Sequence, residues 1–261
     1  MTSNRETGRS DAPPSERIPI EEYLEQVKEL AQRNGFAVEH YATIGEVSLP
    51  VLTRDLDKHK LLYLSSGAHG DEPAGPLAIA EALRAGSFSH DFGWVIFPAL
   101  NPTGLQVGRR ETAHGIDLNR DYRLLRAPES AAHQEWLSRA NHTYLAVLGL
   151  HEDWEAEGAY LYEHNRENLQ NPGAALLKAL DEIVGLDPSD EIDDWPTTGV
   201  GLIHPPSDPN LREFWPEQIY LLKHHSSISY TVETPSERPL GDRVKAVVRC
   251  IEVFGESAAW C

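Results

Sequence analysis

Residues 61–75 read LLYLSSGAHGDEPAG, an apolar run that leads into a glycine-rich loop. Short, continuous apolar runs such as the one at 61–65 are typical of strands buried on both faces of a sheet. Similar runs occur at 93–98, 144–150 and 228–233. We therefore predict four buried strands, each of which ends where its apolar run ends.

Helical patterns lie around and between the apolar runs. The spacing of apolar residues predicts helices over 20–31, 74–85, 128–140, 167–184, 213–224 and 240–258. Strands that alternate with helices indicate an α/β fold. We predict a single domain with a mixed, mostly parallel sheet flanked by helices on both faces.

The N-terminus and one internal stretch lack these patterns. Residues 1–17 are polar and contain Pro13-Pro14, so we predict a disordered arm there and a domain over 18–261. The stretch 187–210 is rich in proline and aspartate. It is predicted to be a long surface loop rather than a linker between domains.

The chain is strongly acidic, with 23 lysines and arginines against 41 aspartates and glutamates and a formal net charge of −18. This field repels polyanions, so we expect no nucleic-acid partner and no membrane partner. The N-terminus has no apolar signal-like run, and no stretch approaches the length of a membrane span, which favours a cytoplasmic location. Cys250 and Cys261 are too few to form a disulfide framework.

Four polar side chains of catalytic type follow or close the predicted strands. His69 follows the first strand, Asn101 the second and His151 the third, whereas Glu233 closes the fourth. In open α/β sheets, ligands bind in the crevice outside the carboxyl ends of the strands. We therefore expect these side chains to converge on one edge of the sheet.

The loop at 67–75 does not match a phosphate site, because it lacks the known phosphate-binding fingerprints and carries two acids. His69 and Glu72 match a metal site better, since imidazole and carboxylate are good zinc ligands and the glycines allow a sharp bend. A catalytic zinc site needs a third protein ligand, for which His151 is the candidate. The acids at 152–153 would either orient the His151 imidazole or face water.

Two further patterns suit substrate binding and catalysis. Asn119-Arg120 offers an amide and a forked guanidinium, which are suited to bidentate capture of a carboxylate. An arginine of the pair at 109–110 could stabilise an oxyanion. Glu233 could act as general base towards metal-activated water. Taken alone, the Asn-Arg pair and the further arginine fit structural ion pairs equally well, and Glu233 fits an exposed strand end better than a catalytic base.

Five segments in this order resemble the carboxypeptidase A-like metallocarboxypeptidase family, in particular its compact bacterial-type members. The segments are HGDE at 69–72, NPTG at 101–104, RETAHGIDLNR at 110–120, LHED at 150–153 and YTVE at 230–233. The resemblance runs from about residue 60 to the C-terminus. It implies a zinc carboxypeptidase-like catalytic domain with one Zn²⁺ ion bound by His69, Glu72 and His151.

The resemblance also implies roles for the remaining candidates. Asn119 and Arg120 would clamp the terminal carboxylate of the substrate, and Glu233 would be the general base. Arg110 would stabilise the oxyanion, with Arg109 as the runner-up. The substrate-binding tyrosine of the family has no single match; the candidates are Tyr160, Tyr162 and Tyr220.

These roles predict a zinc metallopeptidase that cleaves an amide bond next to a substrate carboxylate. The alternative is an N-acyl-amino-acid deacylase of the succinylglutamate desuccinylase and aspartoacylase type, which resembles this chain at the same motifs. Those deacylases continue into an extra β-rich domain, whereas the 28 residues after Glu233 read as one amphipathic helix, which favours the peptidase. The expected substrate is a peptide or N-acyl amino acid with a free carboxylate. No oligomeric state is predicted.

Overall fold

A computed structural model describes residues 16–260 of the chain. The arm predicted at 1–17 therefore lies outside the described residues, except for its last two. Of these, Glu16 pairs with the buried Arg243, with 2.7 Å between Oε2 and Nη2. Packed structure thus begins before the predicted domain boundary.

The described part of the chain contains seven α-helices. They are α1 (Ile20–Arg33), α2 (Ala74–Ala85), α3 (Pro102–Val107), α4 (Pro128–Ala140), α5 (Gly173–Val184), α6 (Glu217–His224) and α7 (Leu240–Phe254). Among residues 16–260, no helix is both long and apolar enough to cross a membrane. The cytoplasmic location stays a prediction.

The helices agree with the sequence patterns except at some boundaries. The bounds predicted for α2 and α4 match the observed ones, whereas α3 was not predicted. The starts predicted at 167 and 213 are too early, because α5 and α6 begin directly after Pro172 and Pro216. Proline disfavours helical backbone in the residue before it, so neither helix extends further towards the N-terminus.

Within residues 16–260, ten strands form one sheet. They are β1 (Ala37–Ile44), β2 (Val47–Arg54), β3 (Leu61–Ser66), β4 (Gly93–Phe97), β5 (Ala146–Asp153), β6 (Tyr160–Asn165), β7 (Glu191–Ile192), β8 (Trp195–Gly199), β9 (Leu202–Ile203) and β10 (Ile228–Pro235). Their order across the sheet is β1-β2-β4-β3-β5-β10-β6-β9-β8-β7. The α/β class and the mixed sheet are therefore confirmed.

The expectation of a mostly parallel sheet is correct only for the centre. The four predicted strands, β4, β3, β5 and β10, are adjacent and parallel. Outside this group the pairs are antiparallel, apart from the short pairing of β6 with β9. Antiparallel strands can be joined by hairpins or short loops, so the flanking strands need no crossover helix.

The stretch 187–210, predicted to be a surface loop, instead contains β7, β8 and β9. These strands extend the sheet beyond β6. Two of them have only two residues each, which is too short for a periodic pattern to reveal a strand.

Helices cover both faces of the sheet, as predicted. On one face α1, α2, α5 and α7 pack over a core that includes Leu148. On the other face α4 and α6 pack over Tyr63 and Val147. Because side chains alternate along a strand, His151 projects on the α6 side and Glu152 on the α7 side.

The loop between β3 and α2 is shaped by a close backbone approach. A Cβ at Gly70 would lie 1.9 Å from the carbonyl carbon of Gly104 in α3. The Gly70 N–H donates to the Arg109 carbonyl at 3.1 Å. Gly67 has a φ of +66°, which lies in the left-handed region that favours glycine. The glycines thus allow the bend that was predicted, and Gly70 also lets the next loop pack directly against this one.

We expect Gly70→Ala to destabilise the protein strongly. The added methyl group has no space against the Gly104 backbone, and overpacking of this kind costs about 1–3 kcal/mol, or more where backbone must move. Urea and thermal unfolding, followed by circular dichroism, measure the loss.

Gly241→Ala is the matched control. A Cβ there meets nothing within 4 Å, and Gly241 lies in the first turn of α7. This change should be neutral or should stabilise the helix by up to about 1 kcal/mol. Equal unfolding free energies for the two variants would contradict the close packing at Gly70.

Candidate metal centre

Three potential metal ligands meet at the carboxyl end of the central strands. His69 and Glu72 lie in the loop after β3, and His151 lies near the end of the neighbouring strand β5. One ligand atom from each side chain lies within 4.8 Å of the other two. All three side chains are buried. The structure thus brings the predicted set together, and within residues 16–260 it forms no other such group of three.

Glu72 lies between the two imidazoles. One of its oxygens is 2.6 Å from His69 Nδ1, and the other is 2.9 Å from His151 Nδ1. Burial favours the neutral acid, but the two histidines outweigh it and hold the pKa of Glu72 well below its usual value. Burial lowers the pKa of His151. An ionised Glu72 and a neutral His151 are the forms that bind a metal ion.

Asp117 holds His69 and Arg110 in place. Its Oδ1 is 3.0 Å from His69 Nε2, and its Oδ2 accepts hydrogen bonds from Arg110 Nε and Nη2 at 3.1 and 3.0 Å. A carboxylate on the far nitrogen of a ligating histidine fixes the ring and leaves the other nitrogen for a metal. No pattern in the sequence predicted a role for Asp117, although it lies in the segment that carries Arg110.

Of the two adjacent arginines, Arg110 faces the centre. Its Nη1 is 3.3 Å from His69 Nδ1 and 3.6 Å from Glu72 Oε1, whereas Arg109 is exposed. Asn101, expected among the converging groups, has a structural position instead. Its buried side chain caps α3 and donates to the Arg110 carbonyl at 3.1 Å, so it supports the backbone that carries this arginine.

Asn119 and Arg120 lie in a 3-10 turn that Asp117 caps. The Asn119 Oδ1 accepts a hydrogen bond from the backbone N–H of Glu217 at 3.0 Å. Because a backbone N–H can only donate, this contact identifies the oxygen of the amide and leaves its NH₂ group as the donor end. Arg120 is exposed and donates to the Asn119 carbonyl at 2.9 Å. Both side chains are therefore arranged to donate hydrogen bonds, as carboxylate binding requires.

Glu217 is a buried acid that was not predicted from the sequence. It begins α6, and its carboxylate accepts hydrogen bonds from the hydroxyls of Tyr63 and Ser65. Both hydroxyls belong to β3, the strand that leads to His69. Burial raises the pKa of Glu217 to about 7, against the effect of these hydrogen bonds. In sequence, an acid after Pro216 resembles an ordinary exposed helix start, so no pattern indicated its burial.

Glu233 pairs with His151 in the parallel ladder between β10 and β5. Its side chain is half-buried. Burial raises the pKa of Glu233, and the negative charges of Glu72, Asp153 and Asp193 raise it further. A carboxylate with a raised pKa accepts protons more readily near neutral pH.

Glu152 points away from the three ligands, towards the opposite face of the sheet. Its carboxylate accepts a hydrogen bond from the Ala74 N–H at the start of α2 and pairs with the buried Arg243 of α7. Glu152 therefore neither contacts the His151 imidazole nor faces water, the two alternatives considered from sequence.

The three candidate tyrosines occupy different places. Tyr160 and Tyr220 are buried, whereas Tyr162 is half-buried and donates to Asp193 at 2.6 Å. The charge of Glu233 contributes to the raised pKa of Tyr162, after burial and Asp193. Glu233 also contributes to the raised pKa of Tyr160, its partner in the sheet. Of these two tyrosines near Glu233, Tyr162 is the one that is not fully buried.

A family model described as "Protein of unknown function (DUF2817)" matches residues 25–170, more than half of the chain. The chain therefore belongs to this family. Murein peptide amidase A of Escherichia coli is 32% identical over 83 residues, which are 32% of this chain and 34% of that protein. The match thus spans about a third of this curated relative.

Solved structures are similar to nearly the whole chain. A candidate metallopeptidase of Shewanella denitrificans has a TM-score of 0.78 at 23% identity, covering 90% of this chain and 89% of that one. A candidate metallopeptidase of Shewanella baltica has a TM-score of 0.79 at 22% identity, covering 93% of each chain. Carboxypeptidase A of Helicoverpa armigera has a TM-score of 0.66 at 17% identity, covering 96% of this chain and 77% of that one. The carboxypeptidase-like fold implied by the sequence resemblance is therefore confirmed.

We expect Glu217 to make the protein less stable as the pH rises from about 5 to 8. An acid whose pKa is raised on folding, here from 4.5 to about 7, binds its proton more tightly in the folded state. Its contribution to stability is therefore present at low pH and lost as the pH rises through this window, by about 3 kcal/mol at most. Urea unfolding of the wild type and Glu217→Gln across the window should show the difference shifting in favour of the variant.

Glu213→Gln is the matched control, since Glu213 is exposed and precedes α6 by four residues. Its difference from the wild type should not change with pH. If the difference between the wild type and Glu217→Gln is also independent of pH, Glu217 does not carry the raised pKa.

Proposed function

We propose that the protein is a zinc-dependent hydrolase that cleaves an amide bond next to a substrate carboxylate, in the manner of a metallocarboxypeptidase. The observation that carries the proposal is the meeting of His69, Glu72 and His151 within 4.8 Å at the carboxyl end of the sheet. Arg110 and Glu233 lie beside this group, on the loop after α3 and on the strand next to β5.

The donor set fits zinc. Two imidazoles and one carboxylate form a known ligand set of catalytic zinc sites, which keep a further position open for water or substrate. The contact between Asp117 and the far nitrogen of His69 is typical of the outer partners of such ligands. Zinc bound here would act as a Lewis acid and would make water a stronger nucleophile at neutral pH.

The residues of the chain supply the remaining chemistry. Glu233 accepts a proton from the attacking water and delivers it to the leaving amine. Arg110 stabilises the negative charge that develops on the carbonyl oxygen. Asn119 and Arg120 bind the carboxylate of the leaving residue and so position the scissile bond.

A deacylase of the succinylglutamate desuccinylase and aspartoacylase type is the alternative, because cleavage of an N-acyl amino acid requires the same groups. The similarity to a protein named murein peptide amidase A favours a peptide substrate. Parallel assays of N-acyl dipeptides and N-acyl amino acids separate the two. Faster hydrolysis of the dipeptides supports the peptidase, and the reverse supports the deacylase.

We expect Glu233→Gln to retain one zinc ion per chain but to lose turnover by about 10²- to 10⁴-fold. The amide keeps the size of the side chain but cannot accept the proton. Elemental analysis of the zinc-loaded protein, together with steady-state kinetics, measures both effects. Wild-type turnover in a zinc-loaded variant would rule out Glu233 as the base.

Glu237→Gln is the matched control, because Glu237 is an exposed carboxylate in the loop after β10. It should match the wild type in zinc content and in turnover. Glu72→Ala should lose both together. A wild-type protein that binds no zinc would remove the proposed function.

A further inference from the structure

Arg212 is a half-buried arginine that lacks a carboxylate partner in the described part of the chain. It follows the 3-10 turn Pro209–Leu211, and its Nη2 donates to the Pro206 carbonyl at 3.2 Å. Its Cζ lies 5.9 Å from the centre of the Trp195 ring. Its Nε is buried and has no hydrogen-bond partner among the described residues. At least one N–H donor of this guanidinium is therefore not used within the fold.

The backbone connects Arg212 to the proposed carboxylate clamp. Asp121, which directly follows Arg120, forms a parallel bridge with Trp215. The Arg123 side chain donates to the Arg212 carbonyl at 2.9 Å. The segments that carry Arg120 and Arg212 therefore run side by side, which brings these two arginines into one region of the surface.

The surroundings of Arg212 are neutral or positive. Burial lowers the pKa of the Arg212 guanidinium, and the charge of Arg120 lowers it further, with Tyr162 opposing. His164 of β6 is only 7% exposed. Burial is the largest cause that lowers its pKa, to about 4, and Arg212 is the next. His164 is therefore neutral at pH 7, and an imidazole in any case cannot supply the negative charge that would balance the guanidinium.

Among residues 16–260, exposed arginines such as Arg123 and Arg166 also have no carboxylate oxygen within 4.0 Å, but every buried or half-buried arginine other than Arg212 has one. Arg110 is paired with Asp117 at 3.0 Å. In the part of the chain that the structure describes, neither Arg120 nor Arg212 has a carboxylate oxygen within 4.0 Å. A partly buried cation without a counter-charge costs stability unless a ligand neutralises it. The half-buried Arg212, with Arg120 in the neighbouring segment, thus indicates an anionic ligand.

We propose that Arg212 and Arg120 bind a second anionic group of the substrate, a carboxylate on the side chain of the leaving residue. This inference rests on the proposed hydrolase function, in which Asn119 and Arg120 hold the first carboxylate. The preferred leaving residue is then an amino dicarboxylate of the glutamate or aspartate type. A guanidinium fork matches a planar carboxylate with paired hydrogen bonds. Arg212 lies against Trp195, which packs in the same small apolar cluster as Tyr160, and Tyr160 is the partner of Glu233 in the sheet, so Arg212 is on the side of the site that carries the proposed base.

The test compares substrates that differ in charge but hardly in size. We expect wild-type kcat/KM to be about 10- to 100-fold higher for N-acetyl-Ala-Glu than for N-acetyl-Ala-Gln, the range of a hydrogen bond between charged groups. Arg212→Met should bring this ratio close to one. Arg212→Lys keeps the charge but not the fork and should give an intermediate ratio. A ratio of two substrates does not depend on the folded fraction of the enzyme, so destabilised variants remain informative.

Arg139→Gln is the matched control, because Arg139 is an exposed arginine of α4 that pairs with Glu39 at 2.6 Å. Its ratio should equal that of the wild type. Higher salt should lower the wild-type ratio, since screening weakens contacts between partly exposed charges.

Failure of this inference and failure of the proposed function give different results. Turnover of both substrates with a wild-type ratio near one, or a ratio that Arg212→Met leaves unchanged, would overturn the second anion site and leave the hydrolase in place. Turnover of neither substrate would count against the proposed hydrolase function. In that case a binding measurement would test whether the second anion site exists. In calorimetric titration of the zinc-loaded protein, we expect N-acetylglutamate to bind more tightly than N-acetylglutamine, and Arg212→Met to lose this difference. Equal affinities in the wild type would overturn the site.

Discussion

The carboxylate of Asp117 joins parts of the candidate site that are far apart in the sequence. Its Oδ1 accepts a hydrogen bond from the Asn119 N–H at 2.8 Å and contacts His69 Nε2, while its Oδ2 accepts from Arg110. One acid therefore orients a proposed metal ligand, the arginine proposed to stabilise the oxyanion, and the turn that carries the proposed carboxylate clamp. Burial alone would raise the pKa of Asp117, but His69, Arg110 and Arg120 hold it well below its usual value. The acid stays ionised, and its contacts persist together.

Two buried acids support this arrangement from opposite faces of the sheet. Glu217 links α6 to β3 and contacts Asn119 through its backbone, whereas Glu152 links β5 to α2 and to Arg243 of α7. Burial raises the pKa of each acid to about 7, so neither is in a favourable place for a charge. Buried polar contacts of this kind add little net stability, but removing one partner is costly. We infer that they serve to hold the strand ends in register with the site.

The positions of the proposed ligands His69 and His151 and of the proposed base Glu233 could be predicted from the sequence, because each follows or closes an apolar run. His69 and Glu233 follow from the rule that parallel strands end at one edge of a sheet. Asp117 and Glu217 could not be assigned, because their contacts join residues 48 and 98 positions apart, and an isolated acid reads as exposed charge. Two of the three strands within 187–210, β7 and β9, were missed because two-residue strands pair through their backbone and leave no periodic pattern.

The net charge of −18 bears on how an anionic substrate would be selected. At long range this field repels a dicarboxylate, so attraction must come from contacts within roughly the 10 Å over which charges act in dilute salt. Arg120 and Arg212 form a small positive region inside the acidic field. A substrate with a neutral side chain leaves the charge of Arg212 uncompensated, whereas a second carboxylate cancels it. Discrimination would then depend as much on the cost of leaving an arginine unpaired as on attraction to the correct substrate.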